Sequence, residues 1–241
     1  MDFELATHVV TIALSVGVGL PILFKSIRSG DRLAALLAGS LVVDGLEWTF
    51  WAAYLYWPGP DGSPNDGFAV ACRVGISASI LCLGRFTWLT FRARSRGAAL
   101  AFWAAFAAMA IGFAGSGAVG DWRGFRSDHV WIWIETLAQI FVYGWACAEP
   151  LRYYAGARKR VALGITDPVL ANKFALWGIY AGSFTVVQVL FLIALASPEG
   201  FTELGAVDMS LSVIGVGSLW LAFFPPPRYQ AWLRRAAPAS R

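Results

Sequence analysis

Seven apolar runs, each close to the 20 or so residues a helix needs to cross a bilayer, take up most of this chain. They cover roughly 5–24, 33–57, 68–91, 98–119, 130–151, 171–196 and 206–224. Hydrocarbon offers no water to backbone amides, so runs of this length must satisfy their own hydrogen bonds as helices. The expected fold is all-α: a polytopic membrane protein, a seven-transmembrane-helix bundle forming a single integral membrane domain over residues 1–241. Charged residues are only 14% of the chain, against about 25% in soluble domains, which leaves no soluble reading. No basic stretch precedes the first run, so it is expected to persist as a helix and not as a cleaved leader.

The breaks between runs are short and rich in Gly, Pro, Asp, Ser and Arg. Their basic residues are unevenly placed. Lys25, Arg28, Arg32, Arg92, Arg94, Arg96, Arg152, Arg158, Lys159, Arg160, Lys173, Arg228, Arg234, Arg235 and Arg241 fall on one side, and only Arg123 and Arg126 on the other. Fifteen against two is a positive-inside pattern. It predicts an N-terminus outside and a C-terminus in the cytoplasm, with the protein integral to the plasma (cytoplasmic) membrane. The opposite side is acidic, with Asp2, Glu4, Asp61, Asp66, Asp121, Asp128, Glu199, Glu203 and Asp208. The net charge of +4 therefore follows from topology, and no nucleic-acid partner is expected.

Beyond the prolines at 225–227, residues 228–236 place Tyr229, Trp232 and Leu233 at helical spacing, opposite Arg228, Arg234 and Arg235. Two readings fit: a short interfacial helix or a disordered basic tail. The longest loop is expected over about 152–172. Gly112, Ser116 and Gly120, four residues apart, would let a neighbouring helix approach closely, within the bundle or across a homo-oligomer contact.

Ionisable side chains inside a bilayer are expensive and tend to face the bundle interior. The second run places Ser40, Asp44, Glu47, Trp48 and Trp51 on one helical face, and the fifth lines up Glu135, Gln139 and Tyr143, with Glu149 close to the same stripe. At about 1.5 Å per residue, Arg73 and Glu135 lie equally deep, roughly 7–8 Å from the outer ends of their runs. Glu47 falls in the same outer half, and Asp44 near the midplane. Arg73 is expected to bridge Glu47 or Glu135. Three carboxylates facing one arginine cannot all be ionised cheaply, so at least one should have a raised pKa. Asp44, Glu47, Arg73, Glu135, Gln139, Trp48 and Trp51 form the candidate ligand- or proton-binding site. A helix-locking ion pair is the plainer explanation of the same residues. On the inner side, Arg85 and Glu149 are expected to pair, or Arg85 to reach the headgroups.

Catalytic and metal sites are not indicated. The histidines, His8 and His129, are expected to be solvated at the interface and have no HxxxH or HExxH spacing. Cys72, Cys82 and Cys147 form no CxxC and read as inert buried thiols. Seven helices with an outside N-terminus resemble the receptor and rhodopsin architecture in topology alone. A retinal Schiff base is not expected, because the last run holds no lysine. No cofactor is expected, and enzyme activity is the least supported class. The leading expectation is a sensor-like or receptor-like protein with an outward-facing pocket between helices 2, 3 and 5 for a small cationic or hydrogen-bonding ligand. Such a sensor needs a cytoplasmic or membrane protein partner. A small proton-coupled transporter and a structural subunit of a larger membrane complex are the alternatives.

Overall fold

A computed structural model describes residues 3–59, 62–63, 65–122, 124, 128–196 and 205–236. Among them there is no strand. The chain runs α1 (Phe3–Ser29), α2 (Arg32–Tyr56), α3 (Asp66–Phe91), α4 (Arg96–Ala118), α5 (Val130–Ala162), α6 (Pro168–Ala196), α7 (Gly205–Phe223) and α8 (Pro227–Ala236). Six helices, α1 to α6, are long and apolar enough to cross a membrane. The pair α7 and α8, bent by 84°, brings the number to seven if it is taken as one span. Arg123, Arg126, Asp2, Asp61, Glu199, Glu203 and Arg241 lie outside the described residues.

The helix starts follow from local chemistry. Asp31, Asn65, Ser95 and Asp167 each use a side-chain oxygen to accept from first-turn amides of the helix they precede. These amides have no intrahelical acceptor. Pro168 then opens α6 with its ring already at a helical φ.

Neighbours in sequence pack as neighbours in space from α1 to α3 and from α4 to α7, and α7 closes back on α1. α3 also packs on α5, while α4 leans on α5 and only lightly on α3. The result is a ring of α1, α2, α3, α5, α6 and α7 with α4 outside it. The apolar core, with Leu41, Ile80, Leu83, Phe86, Val142, Tyr143, Tyr180, Phe184 and Leu219, runs down the middle. Polarity is turned inside out relative to a soluble domain. Leu100, Ile111, Leu137, Ile193 and Ile214 are exposed, while His8, Ser15, Asp44, Glu47, Arg73, Glu135 and Gln139 are buried. Such a surface is stable only against hydrocarbon.

Two helix ends differ from the sequence expectation. α5 continues as helix through Ala162, so most of the supposed 152–172 loop is regular structure, and the real turn is short. Hydropathy marks bilayer thickness, not the end of a helix, and arginine and alanine sustain helix in water. α1 likewise runs on to Ser29, through Pro21. Residues 227–236 form a helix, α8.

Candidate functional site

The buried carboxylates sit where helix backbones come closest. A Cβ on Gly75 of α3 would lie 3.0 Å from the Glu47 Cβ, and one on Gly112 of α4 would lie 2.8 Å from the Glu135 Cβ. One on Gly45, beside Asp44, would lie 2.6 Å from Val16 and 3.5 Å from Ser15. Small residues let backbones approach, and here the approach brings short polar side chains within reach of an acid on the next helix. Gly112 therefore packs directly against α5.

Arg73 on α3 takes Glu135 on α5 as its ion-pair partner. Both side chains are nearly buried, 9% and 2% exposed. The other terminal nitrogen donates to the backbone carbonyls of Asp121 (3.0 Å) and Trp122 (3.3 Å), and the guanidinium lies over the Phe113 ring. The loop is itself tied down, because Asp121 accepts from the Gly124 amide at 3.0 Å and contacts His129 Nε2 at 2.9 Å. Gly124 turns at φ +75°, and a Cβ there would meet the Arg73 guanidinium at 3.0 Å. Arg73 thus joins α3, α5 and the α4–α5 connection, with its charge matched by Glu135.

Asp44 and Glu47 on α2 are held differently. Asp44 is 1% exposed and accepts from the Ser15 hydroxyl of α1 at 2.7 Å. Among the described residues no basic group lies within ion-pair distance of it. Glu47, 7% exposed, is approached by the Cys72 thiol at 3.9 Å. Below them Ser40 and Ser79 exchange hydrogen bonds between α2 and α3. Trp48 is buried, and its indole N–H has no acceptor among the described residues. Trp51 is half-buried and stacks on Tyr54 at 5.3 Å. Gln139 is buried one turn from both Glu135 and Tyr143. The sequence-predicted acids thus fall in two groups: an Arg73–Glu135 clamp between α3 and α5, and Asp44 and Glu47 on α2, the first against α1 and the second against α3.

One stripe was not anticipated. His8, Thr11 and Ser15 on α1 are each 1% exposed or less, and the His8 ring meets Trp48 edge-on at 5.3 Å. His8 is therefore buried, and not solvated at the interface as its position near the chain start suggested, because Trp48 covers it. Spacing of three and four residues puts the stripe on one face of α1, and this periodicity is the signal that identifies it.

At the basic end the expected Arg85–Glu149 pair is replaced by another. Glu149 accepts from Arg92 Nε at 2.9 Å and from Arg152 at 3.5 Å. Arg85 lies seven residues before Arg92, about 10 Å short along α3, and stacks on Trp88, 4.5 Å from its ring centre. The second Glu149 carboxylate oxygen is buried with no hydrogen-bond partner among the described residues. Between this end and Asp44 lies a small cavity of about 10 Å³, with Leu37, Leu83, Phe91, Ala146, Pro150 and Tyr180 among its lining residues.

Among the described residues no group of three or more His, Cys, Asp or Glu side chains is placed to hold a metal ion, and the three cysteines are free thiols. No protein family, curated protein or solved structure matches the chain.

Proposed function

We propose that this integral membrane protein is sensor-like or receptor-like, and that Asp44 is the group at its centre that takes up a proton or a small cationic or hydrogen-bonding ligand. In this reading the site between α2, α3 and α5 faces the acidic, outer end, and the basic end with α8 lies in the cytoplasm.

The observation that carries the reading is the environment of Asp44. A carboxylate without a cation in a low-dielectric interior costs several kcal/mol. The side chain therefore resides there as the neutral acid, or as an anion only when a positive ligand arrives. The buried Ser15 hydroxyl donates to it, and Glu47 lies one turn away on the same helix. The test is infrared spectroscopy of the full chain in nanodiscs at neutral pH. A protonated-carboxyl stretch that disappears in Asp44→Asn but persists in Glu135→Gln is the expected result. A spectrum unchanged by Asp44→Asn removes the basis for the proposal.

A proton-coupled transporter would use the same acid. It is distinguished by flux: proteoliposomes under a pH gradient should leak protons no faster than empty ones if the protein senses rather than transports. Orientation is tested separately. A reporter after Ala236 should be active only in the cytoplasm, and one between Gly59 and Ser63 only outside.

A further inference from the structure

α8 and the α5–α6 turn lie together at the basic end and present one surface. α8 turns away from α7 by 84°, an angle that lays it across the bundle end. Its register puts Trp232, Tyr229, Leu233 and Ala236 on one arc, with Arg228 and Arg235 along one edge and Arg234 beyond the other. Tyr229 accepts from Asn172 of α6 at 2.8 Å, and Arg234 reaches Asp167, where α6 begins, at 3.4 Å. The α5–α6 turn joins this surface through Asp167. It carries Leu163 and Ile165, 69% and 71% exposed, and Trp232 is 55% exposed.

We propose that this surface binds anionic phospholipid headgroups. Three arginines flank an apolar arc on a helix lying across the end of a membrane bundle, which is the pattern of an interfacial anchor. The apolar side chains enter the acyl boundary while the guanidiniums stay level with phosphates. Charge complementarity selects the lipid. Each basic residue near a negatively charged leaflet adds roughly fivefold to affinity, and a zwitterionic leaflet offers no such gain. The Tyr229–Asn172 bond carries the consequence into α6, so that lipid occupancy steadies a helix of the bundle.

The full chain in detergent is titrated with phosphatidylglycerol, phosphatidylcholine or inorganic phosphate, and its melting temperature is followed. Phosphatidylglycerol should raise it, whereas phosphatidylcholine and phosphate should not. The variant with Arg228→Gln, Arg234→Gln and Arg235→Gln should need on the order of a hundredfold more phosphatidylglycerol for the same shift. A control with Arg94→Gln and Arg96→Gln, on the α3–α4 turn at the same end, should titrate as the unmodified chain does. Asn172→Ala should bind the lipid with unchanged midpoint but show a smaller shift. If the triple variant titrates normally, or the control is equally weakened, headgroups are held by the basic end at large and the α8 surface is not the site. A shift produced by phosphate alone would make it a free-anion site. Should the triple variant fail to fold, raising salt on the unmodified chain must weaken the phosphatidylglycerol effect, and an unchanged midpoint refutes the proposal.

Discussion

Glu135 and Asp44 are the same chemical group under the same burden of burial, 1% exposed in each case, yet their surroundings differ. Glu135 meets a guanidinium that is itself finished off by two backbone carbonyls and an aromatic ring. Asp44 meets a serine hydroxyl. Removing a partner from the first leaves uncompensated charge, and the protein must pay for that in stability. The second has no basic group within ion-pair distance among the described residues, so it has no such partner to lose. The bundle thus holds two kinds of buried acid, one paired with a guanidinium and one hydrogen-bonded to a hydroxyl.

The largest effect should come from breaking the clamp. Arg73→Ala is expected to cost about 3–5 kcal/mol, because it strands a buried carboxylate. Replacing both members, Arg73→Met with Glu135→Leu, should recover most of that loss. Unfolding in mixed micelles measures both, and a loss below about 1 kcal/mol for Arg73→Ala would erase the contrast with Asp44. Next is Gly112→Ala. Its Cβ would press on the Glu135 Cβ and on the Trp131 carbonyl, both at 2.8 Å, for a cost of about 1–3 kcal/mol. Gly39→Ala, where nothing lies within 4 Å, should be neutral or stabilising, and equal costs at the two sites would rule out close approach as the cause.

Ser15→Ala sharpens the comparison. If Asp44 is neutral, the lost hydrogen bond should cost about 1 kcal/mol, whereas a loss nearer 3 kcal/mol would mark it as ionised. The smallest effect is expected for Glu149→Gln, within about 1 kcal/mol, because Arg92 and Arg152 are solvent-exposed partners. Thermal denaturation giving a loss as large as that of Arg73→Ala would place a second clamp at the basic end.

Much of this arrangement is legible in the sequence. Helical periodicity put Asp44, Glu47 and Trp48 on one face, and counting residues from the run ends gave Arg73 and Glu135 the same depth, where they meet. The choice of Glu135 over Glu47 was not readable. It depends on the α4–α5 connection, whose carbonyls fix the guanidinium and whose path no local pattern specifies. Arg92 escaped notice as the partner of Glu149 because it counted as a loop charge, although α3 ends directly beside it. His8 was misplaced for a similar reason: position within an apolar run gives depth along the helix, whereas burial depends on which neighbours cover that depth, here Trp48. The length of α5 was invisible to hydropathy, since its last turns are polar.

That length has a mechanical meaning. From Val130 to Glu149 the helix covers about 30 Å, a bilayer core, and the 12 residues after Pro150 extend it by about 18 Å more. Pro150 cannot donate to the Ala146 carbonyl, and both residues border the small cavity, so the rod is most easily bent where it leaves the membrane. A pivot of about 10° at that point swings the far tip, with Leu163 and Ile165, through about 3 Å. A hinge next to Glu149 would let the polar end of α5 swing while its membrane-spanning part stays packed in the bundle.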